Sequence, residues 1–340
     1  MARIALVVLY NHHYPQNVDR INALYRGRFD SVTHLIPNYS GESPEVIPVF
    51  GNGHVFSSYV AQAYHHIRHY DADHYLFVGD DLVLNPQVNQ DNADHLLGLR
   101  GDSCFFPCFI PLWELDQYYP VAHDAYYWRP NKPGAEVASL LPSESEARRR
   151  FAAAGYPVAP VPWNVIHLPA IVRGQAAGDI RKIDSGQHHK RSIARLYDSA
   201  RGRSLVRSVY RRVVVPVESK RRALDLRYPM IAGYSDIFGI SAEHLKTFST
   251  YCGLFAAGGL YCEAAVPTAM ILTTCDIVIE AELPLSGAAL GPEAIIGDKH
   301  WHAGPHRDFA AEVDGDFGRF LQQYPDDLLY YHPVKLSTFT

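Results

Sequence analysis

The chain has 340 residues, of which 47% are hydrophobic and 20% are charged, and its formal net charge is −5. This length allows one large domain or two ordinary ones, and the composition is typical of a water-soluble globular protein. The negative charge excludes a protein that binds nucleic acid through bulk electrostatics. We expect no secretory signal and no membrane span, because no apolar run is long enough. The five cysteines indicate buried thiols in a reducing cytoplasm rather than a disulfide framework.

The first part of the chain alternates between strand and helix patterns. Residues 3–10, RIALVVLY, form a continuous apolar run, which is typical of a strand buried on both faces. Two more strands are predicted at SVTHLIPN and HYLFVGDD, with apolar residues at helical spacing before each of them. This order predicts an α/β fold with an open sheet, in which ligands bind outside the carboxyl ends of the strands. Tyr10 and Asn11 follow one such end, and Asp80 and Asp81 follow another.

The middle of the chain interrupts this alternation. A helix is predicted at SESEARRRFAAAG, with Ser143 or Ser145 as its N-cap and Gly155 as its stop. Residues 181–227 are strongly basic, and we interpret them as a helical insertion or lid. The strand and helix patterns resume at residue 228, so we divide the chain into 1–116, 117–227 and 228–340.

The adjacent carboxylates of Asp80 and Asp81 end the third predicted strand. Mg²⁺ and Mn²⁺ take carboxylate oxygens, often only one or two, and phosphate oxygens of a substrate complete the shell. A carboxylate pair at a strand end therefore suits a metal-bound nucleoside diphosphate. The alternative is an ordinary polar turn, because Gly-Asp-Asp is also good turn chemistry.

With its first strand near the N-terminus and FVGDD at 77–81, the chain resembles GT-A-type glycosyltransferases, which use nucleotide sugars and an Asp-x-Asp motif. The segment YPMIAGYSDIFGISAEHLKTF, followed by GLYCEAAVPTAMIL, is similar to the acceptor half of these enzymes. Within this group, the chain most resembles bacterial surface-polysaccharide transferases and exostosin-like transferases. The resemblance covers about 1–115 and 228–280. Gly79 stands where the first Asp of the motif is expected, which leaves open whether Asp80 or Asp81 binds the metal.

The resemblance implies a GT-A-like, Rossmann-type open mixed sheet flanked by helices, to which the basic helical insertion is added. It implies that 1–116 binds the nucleotide sugar and that 228–340 binds the acceptor. Asp81, with Asp80, would hold Mn²⁺ or Mg²⁺. The residues expected around the nucleotide sugar are Tyr10, Asn11, Gly51, Asn52, Gly53 and Asp80.

Two acids in the second half are candidate catalytic residues. Glu263 lies alone in an apolar segment, and an unpartnered buried carboxylate is costly, so we expect it to have a role. The resemblance places it opposite the acceptor hydroxyl, as a general base with a raised pKa if the enzyme inverts configuration. The alternative is an acid that only stabilises a helix N-terminus. Asp236, in a polar turn between two apolar runs, is the second candidate.

Three histidines, His300, His302 and His306, lie close together in GDKHWHAGPHRD. Imidazole is the commonest transition-metal ligand, so one interpretation is a small zinc site in a metal-dependent hydrolase. The resemblance instead favours a single C-terminal histidine as a ligand of the active-site metal, for which we select His302. The remaining alternative is a solvated loop.

The sequence therefore predicts a cytoplasmic glycosyltransferase of cell-surface polysaccharide synthesis. It would move a sugar from a nucleotide-diphosphate donor to a hydroxyl of a glycan or lipid-linked acceptor. Residues 181–227 would contact an anionic membrane at its inner face, and no nucleic-acid partner is expected. A non-catalytic glycan-binding module is a further alternative. The tyrosine-rich segment DQYYPVAHDAYYW either stacks on sugar rings or serves only for packing.

Overall fold

The computed structural model describes residues 2–167, 223–289 and 315–336. The strands of these regions are β1 Ile4–Leu9, β2 Ser31–Pro37, β3 Val46–Val49, β4 His74–Gly79, β5 Val83–Leu84, β6 Cys104–Phe106, β7 Phe109–Ile110, β8 Asn131–Lys132, β9 Ala135–Glu136, β10 Val161–Pro162, β11 Ala223–Leu224, β12 Ala232–Gly233, β13 Ile237–Ser241, β14 Ile277–Ile279, β15 Ser286–Ala289 and β16 Leu328–His332. The α-helices are α1 Val18–Tyr25, α2 Ser57–Ile67, α3 Ala93–Leu96, α4 Pro120–Tyr127, α5 Glu144–Ala153, α6 Trp163–Ile166, α7 Ala242–Ala257, α8 Cys262–Thr273 and α9 Phe317–Gln322.

The central sheet has seven strands in the order β14-β6-β13-β4-β1-β2-β3. The four strands from β3 to β4 are parallel to one another. Strand β13 runs antiparallel between β4 and β6, so the sheet takes strands from both 1–116 and 228–340. The predicted α/β class with an open mixed sheet is confirmed.

The apolar run of β1 supplies two separate cores. Ala5, Val7 and Leu9 belong to the core that also contains residues of α2, α7 and α8. Ile4, Leu6 and Val8 belong to the core on the opposite face, with residues of α1 and β16. Because successive side chains of a strand point to opposite faces, a strand covered on both faces must be apolar at every position.

Strand β3 was not predicted from the sequence. It is four residues long and contains Pro48, which cannot donate a ladder hydrogen bond. The strand lies at the edge of the sheet, where proline is tolerated. Its place beside β2 extends the carboxyl edge to the segment that contains Gly51, Asn52 and Gly53.

A small three-stranded sheet brings the end of the chain to the end of β4. Strand β16 pairs with β5, which lies just after Asp81, and with β15 on its other side. Gly287 of β15 packs against Tyr330 of β16 so closely that an added Cβ would overlap the phenol ring. The backbone N–H of Val334 donates to the carbonyl of Asp81 at 2.6 Å.

Ser143 caps α5 by accepting from the N–H of Glu146 at 3.2 Å, and Gly155 after the helix has a φ of 88°. Within the described ranges, no helix has both the length and the apolar character of a membrane span. His300, His302, His306 and residues 181–222 lie outside the described residues, so the hydrolase site and most of the basic insertion stay predictions.

Candidate functional site

Three carboxylates meet at the carboxyl edge of the central sheet. Asp80 and Asp81 follow the end of β4, and Asp236 precedes the start of β13. Because β13 is antiparallel to β4, its beginning lies beside the end of β4, and the N–H of Gly79 donates to the carbonyl of Asp236 at 2.7 Å. A Cβ on Gly79 would lie 3.1 Å from Oδ1 of Asp81 and 3.7 Å from Cβ of Asp236. The glycine therefore leaves room for the two neighbouring acids.

The carboxylate of Asp80 is held by the segment that follows β1. Its Oδ1 accepts from the backbone N–H of Asn11 at 3.4 Å, and its Oδ2 accepts from the amide of Asn17 at 3.5 Å. Burial, followed by the negative charge of Asp81, raises the pKa of Asp80 to about 7, although the Asn11 hydrogen bond opposes this. The site thus holds negative charge at an energetic cost, which a bound cation would relieve.

His332 lies at the end of β16 with its Nε2 3.3 Å from Oδ1 of Asp81. Burial lowers the pKa of His332, but the adjacent Asp81 and the charge of Asp236 outweigh burial, so the net pKa is raised. His302 was predicted as the metal ligand, and His332 was not predicted. The rule that found Asp80 also applies here, since LLYYH is an apolar run that ends in a polar residue.

The acids fit a divalent cation whose shell a substrate completes. Oδ1 of Asp81 is buried, and Nε2 of His332 lies 3.3 Å from it. Among the described residues, no three His, Cys, Asp or Glu side chains form a preformed metal site. Mg²⁺ and Mn²⁺ bound with nucleotides often use one or two protein ligands, so Asp81 is suited to the first position, with His332 beside it.

Asn11 and Gly53 lie at the same edge. The side chain of Asn11 hydrogen-bonds to Asp236, which partly offsets the effect of burial in raising the pKa of that acid. A Cβ on Gly53 would lie 3.2 Å from the carbonyl oxygen of Asn11, so glycine allows the two segments to approach. Asn52 accepts from the N–H of His54 at 3.0 Å and caps a short 3-10 helix, while Gly51 has a φ of 146°.

Tyr10 is placed differently from the other candidates. Its side chain is fully buried, and its hydroxyl lies 3.0 Å from Nδ1 of His34. Nε2 of His34 lies 3.0 Å from Oδ1 of Asn22, whose amide donates to Glu45 at 2.9 Å. Burial lowers the pKa of His34 to about 4, so the ring is neutral and links a donor to an acceptor. The phenol of Tyr10 therefore belongs to a buried series of hydrogen bonds.

Glu263 lies in the first turn of α8, and its Oε2 accepts from the hydroxyl of Tyr119 at 3.2 Å. Burial, then the charge of Asp236, raises the pKa of Glu263 to about 7, while the Tyr119 hydrogen bond opposes the rise. The thiol of Cys262 donates to the carbonyl of Gly53 at 3.6 Å, and its own carbonyl accepts from Ser235 at 3.4 Å. These contacts hold Glu263 beside the edge. No sequence feature paired Tyr119 with it.

The structure thus brings together six of the predicted residues. Gly51 and Asn52 directly precede one of them, Gly53, while Tyr10 is buried behind the site residues and His302 is outside the described residues. The six are Asn11, Gly53, Asp80, Asp81, Asp236 and Glu263.

No family model and no curated protein matches the chain. Among solved structures, the mannosyltransferase Ktr4p from S. cerevisiae is similar at 9% identity and a TM-score of 0.38, over 87% of this chain and 75% of that chain. Core-mannan synthase A from Aspergillus fumigatus, in an Mn/GDP form, is similar at 10% identity and a TM-score of 0.34, over 83% and 74%. A 2-C-methyl-D-erythritol 4-phosphate cytidylyltransferase from Thermus thermophilus is similar at 13% identity and a TM-score of 0.23, over 52% and 98%. Since all three TM-scores are below 0.5, the fold class rests on the strand order described above.

Proposed function

We propose that the chain is a GT-A-type glycosyltransferase that moves a sugar from a nucleoside diphosphate to an acceptor hydroxyl. The observation that supports this best is the meeting of Asp80, Asp81 and Asp236 at the carboxyl edge, with Glu263 next to them. Open α/β sheets bind ligands at this edge, and the excess of negative charge there calls for a cation.

In this proposal Asp81, with His332 beside it, holds Mn²⁺ or Mg²⁺. The metal would neutralise negative charge on the departing diphosphate. Asn11 and Gly53 line the nucleotide side, where the glycine lets backbone come close to the ligand. Asp80 orients the donor through the segment after β1, to which it is hydrogen-bonded.

Glu263 is proposed to face the acceptor hydroxyl. A pKa of about 7 leaves a substantial fraction of the carboxylate ionised at neutral pH, and makes it a stronger base than an exposed glutamate. In an inverting reaction Glu263 takes the hydroxyl proton as the oxygen bonds to the anomeric carbon, and the bond to the diphosphate breaks with its electron pair leaving on the diphosphate. In a retaining reaction it would instead orient the acceptor.

The acceptor is proposed to be a glycan or a lipid-linked glycan of cell-surface polysaccharide synthesis. We further propose a cytoplasmic enzyme whose residues 181–227 contact an anionic membrane. The hydrolase alternative depends on His300, His302 and His306, which are outside the described residues, so no described contact favours it.

Calorimetric titration with GDP, UDP and CDP in the presence of Mn²⁺ tests the proposal. At least one nucleotide should bind the wild-type protein, and Asp81→Asn should weaken that binding at least tenfold. The matched control is Asp91→Asn, since Asp91 is exposed and lies away from the edge. If none of the three nucleotides binds, or if Asp81→Asn binds as tightly as the wild type, the proposal is wrong.

A further inference from the structure

Six aromatic side chains form a continuous strip along α4, α6 and the residues next to them. The ring centroids of His123 and Tyr127 are 4.7 Å apart, those of Tyr127 and His167 are 6.0 Å apart, and those of His167 and Trp163 are 4.9 Å apart. Tyr118 and Tyr126 extend the strip at 6.5 Å from His123 and 5.1 Å from Tyr127. We call these six residues the aromatic strip: Tyr118, His123, Tyr126, Tyr127, Trp163 and His167.

The aromatic strip differs from core packing. Five of its six members are half-buried and Tyr127 is 49% exposed. Helix α4 turns its small apolar residues, Val121, Ala122 and Ala125, to the core, against which Tyr126 also packs in part, whereas Tyr127 is on the exposed side. Every ring of the strip also carries an O–H or a ring nitrogen at its edge, and no Leu, Ile or Val belongs to it. The strip is therefore an amphipathic surface rather than a purely hydrophobic one.

A series of side-chain contacts links the aromatic strip to the helix of the candidate catalytic acid. Nδ1 of His123 lies 3.9 Å from Asp124, whose other oxygen lies 3.1 Å from Nε2 of His54. The ring of His54 stacks on Tyr261, with centroids 4.6 Å apart and planes 17° apart. Tyr261 is the N-cap of α8, two residues before Glu263.

We propose that the aromatic strip binds the acceptor and that this acceptor is a carbohydrate chain of several sugar units. One face of a sugar ring presents C–H groups, which pack on aromatic faces, while its hydroxyls bond to the polar ring edges and to Asp124. A series of rings that is linked through Asp124, His54 and Tyr261 to the helix of Glu263 suits a chain whose terminal sugar offers its hydroxyl to that acid. The inference rests on the proposed function, since that function gives Glu263 its acceptor role.

Titration calorimetry with mannohexaose, cellohexaose and xylohexaose, and with the matching monosaccharides, tests the inference. We expect at least one hexasaccharide to bind more tightly than its monosaccharide. Tyr127→Ala should weaken this binding roughly tenfold, the effect of losing one aromatic contact. Tyr127→Phe keeps the ring and should bind nearly as the wild type. Leu140→Ala, at a residue that is 63% exposed and lies off the strip, is the matched control for loss of an exposed apolar side chain.

The inference is overturned if no hexasaccharide of the panel binds, or if Tyr127→Ala binds like the wild type while its melting temperature is unchanged. Parallel titrations with the nucleoside diphosphates and Mn²⁺ separate the two proposals. If a nucleotide binds and no hexasaccharide binds, the proposed acceptor role of the strip is wrong, whereas the proposed transferase function is not contradicted. Hexasaccharide binding without nucleotide binding supports carbohydrate binding by the strip, but it overturns the transferase, and with it the acceptor role of the strip, in favour of a glycan-binding module.

Discussion

The imidazole of His332 lies 3.3 Å from the carboxylate of Asp81, and the two side chains reach this point from the ends of strands in different sheets. The pairing depends on β16, which adds to β5 and so places its last residue beside the end of β4. The contact between His332 and Asp81 therefore forms only when β16 is paired with β5.

His332→Gln is expected to weaken Mn²⁺ binding in the presence of the bound nucleoside diphosphate roughly tenfold, because groups next to a metal ligand tune its affinity. Competition of Mn²⁺ with a fluorescent metal indicator measures the effect. His66→Gln, at an exposed histidine on α2, should leave the affinity unchanged. Equal Mn²⁺ affinity for the wild type and His332→Gln would contradict the proposed arrangement.

Tyr119→Phe is expected to raise the pKa of Glu263 further, since the hydroxyl stabilises the carboxylate. If Glu263 acts as a base, activity rises with pH as it ionises, so this rise should move to higher pH in the variant. At pH 7 the rate should fall roughly threefold to tenfold. The pH profile of donor turnover measures the shift, and Tyr64→Phe, at a half-buried tyrosine on α2, is the control. An unshifted profile would exclude Glu263 as the base.

His34 should make stability fall in acid. Its pKa of about 4 in the folded protein lies below the ordinary value of 6.5, so between these values the unfolded chain binds more protons. Its contribution is complete above pH 6.5 and is lost as the pH falls toward 4, for a total of about 3 kcal/mol. Urea unfolding at pH 7 and pH 4.5 measures this loss.

His34→Gln removes the titrating group, so the variant should lose less stability than the wild type between the two pH values, although it is less stable at pH 7. His66→Gln should keep the wild-type pH dependence. The explanation fails if His34→Gln retains the full acid sensitivity.

Gly287→Ala is expected to destabilise the protein by about 1 to 3 kcal/mol, because the new methyl group would overlap the ring of Tyr330. Since Tyr330 and His332 lie on the same strand, nucleotide binding with Mn²⁺ should weaken as well. Thermal unfolding and calorimetry measure both effects. Ser286→Ala, at the exposed preceding residue, should change neither, and a Gly287→Ala protein with normal stability and binding would refute the packing argument.

Much of the central sheet could be predicted because β1 is apolar at every position, β2 and β4 each contain a run of apolar residues, and the helices between them have a regular apolar face. The direction of β13 could not be predicted, since parallel and antiparallel strands that are covered on both faces have the same pattern. Strand β3 was missed because four residues with a central proline give a weak pattern.

Some residues of the candidate site could likewise be predicted from the sequence, and others could not. Asp80 and Asp81 were found because they directly follow a strong strand, and Glu263 because an acid in an apolar helix is costly. His332 and Tyr119 were missed because their importance depends on pairings between distant parts of the chain, which no local pattern records.

The position of β13 also has a consequence for folding during synthesis. Until residues 237–241 leave the ribosome, β4 is bonded only to β1 and its other edge, which includes Phe77 and Val78, has no partner from this sheet. Unpaired strand edges of this kind promote aggregation, so a nascent or truncated chain that stops before β13 should depend on chaperones. Asp236 directly precedes the strand that pairs with this edge, so β4 gains its second neighbour and the site gains its third carboxylate in the same step.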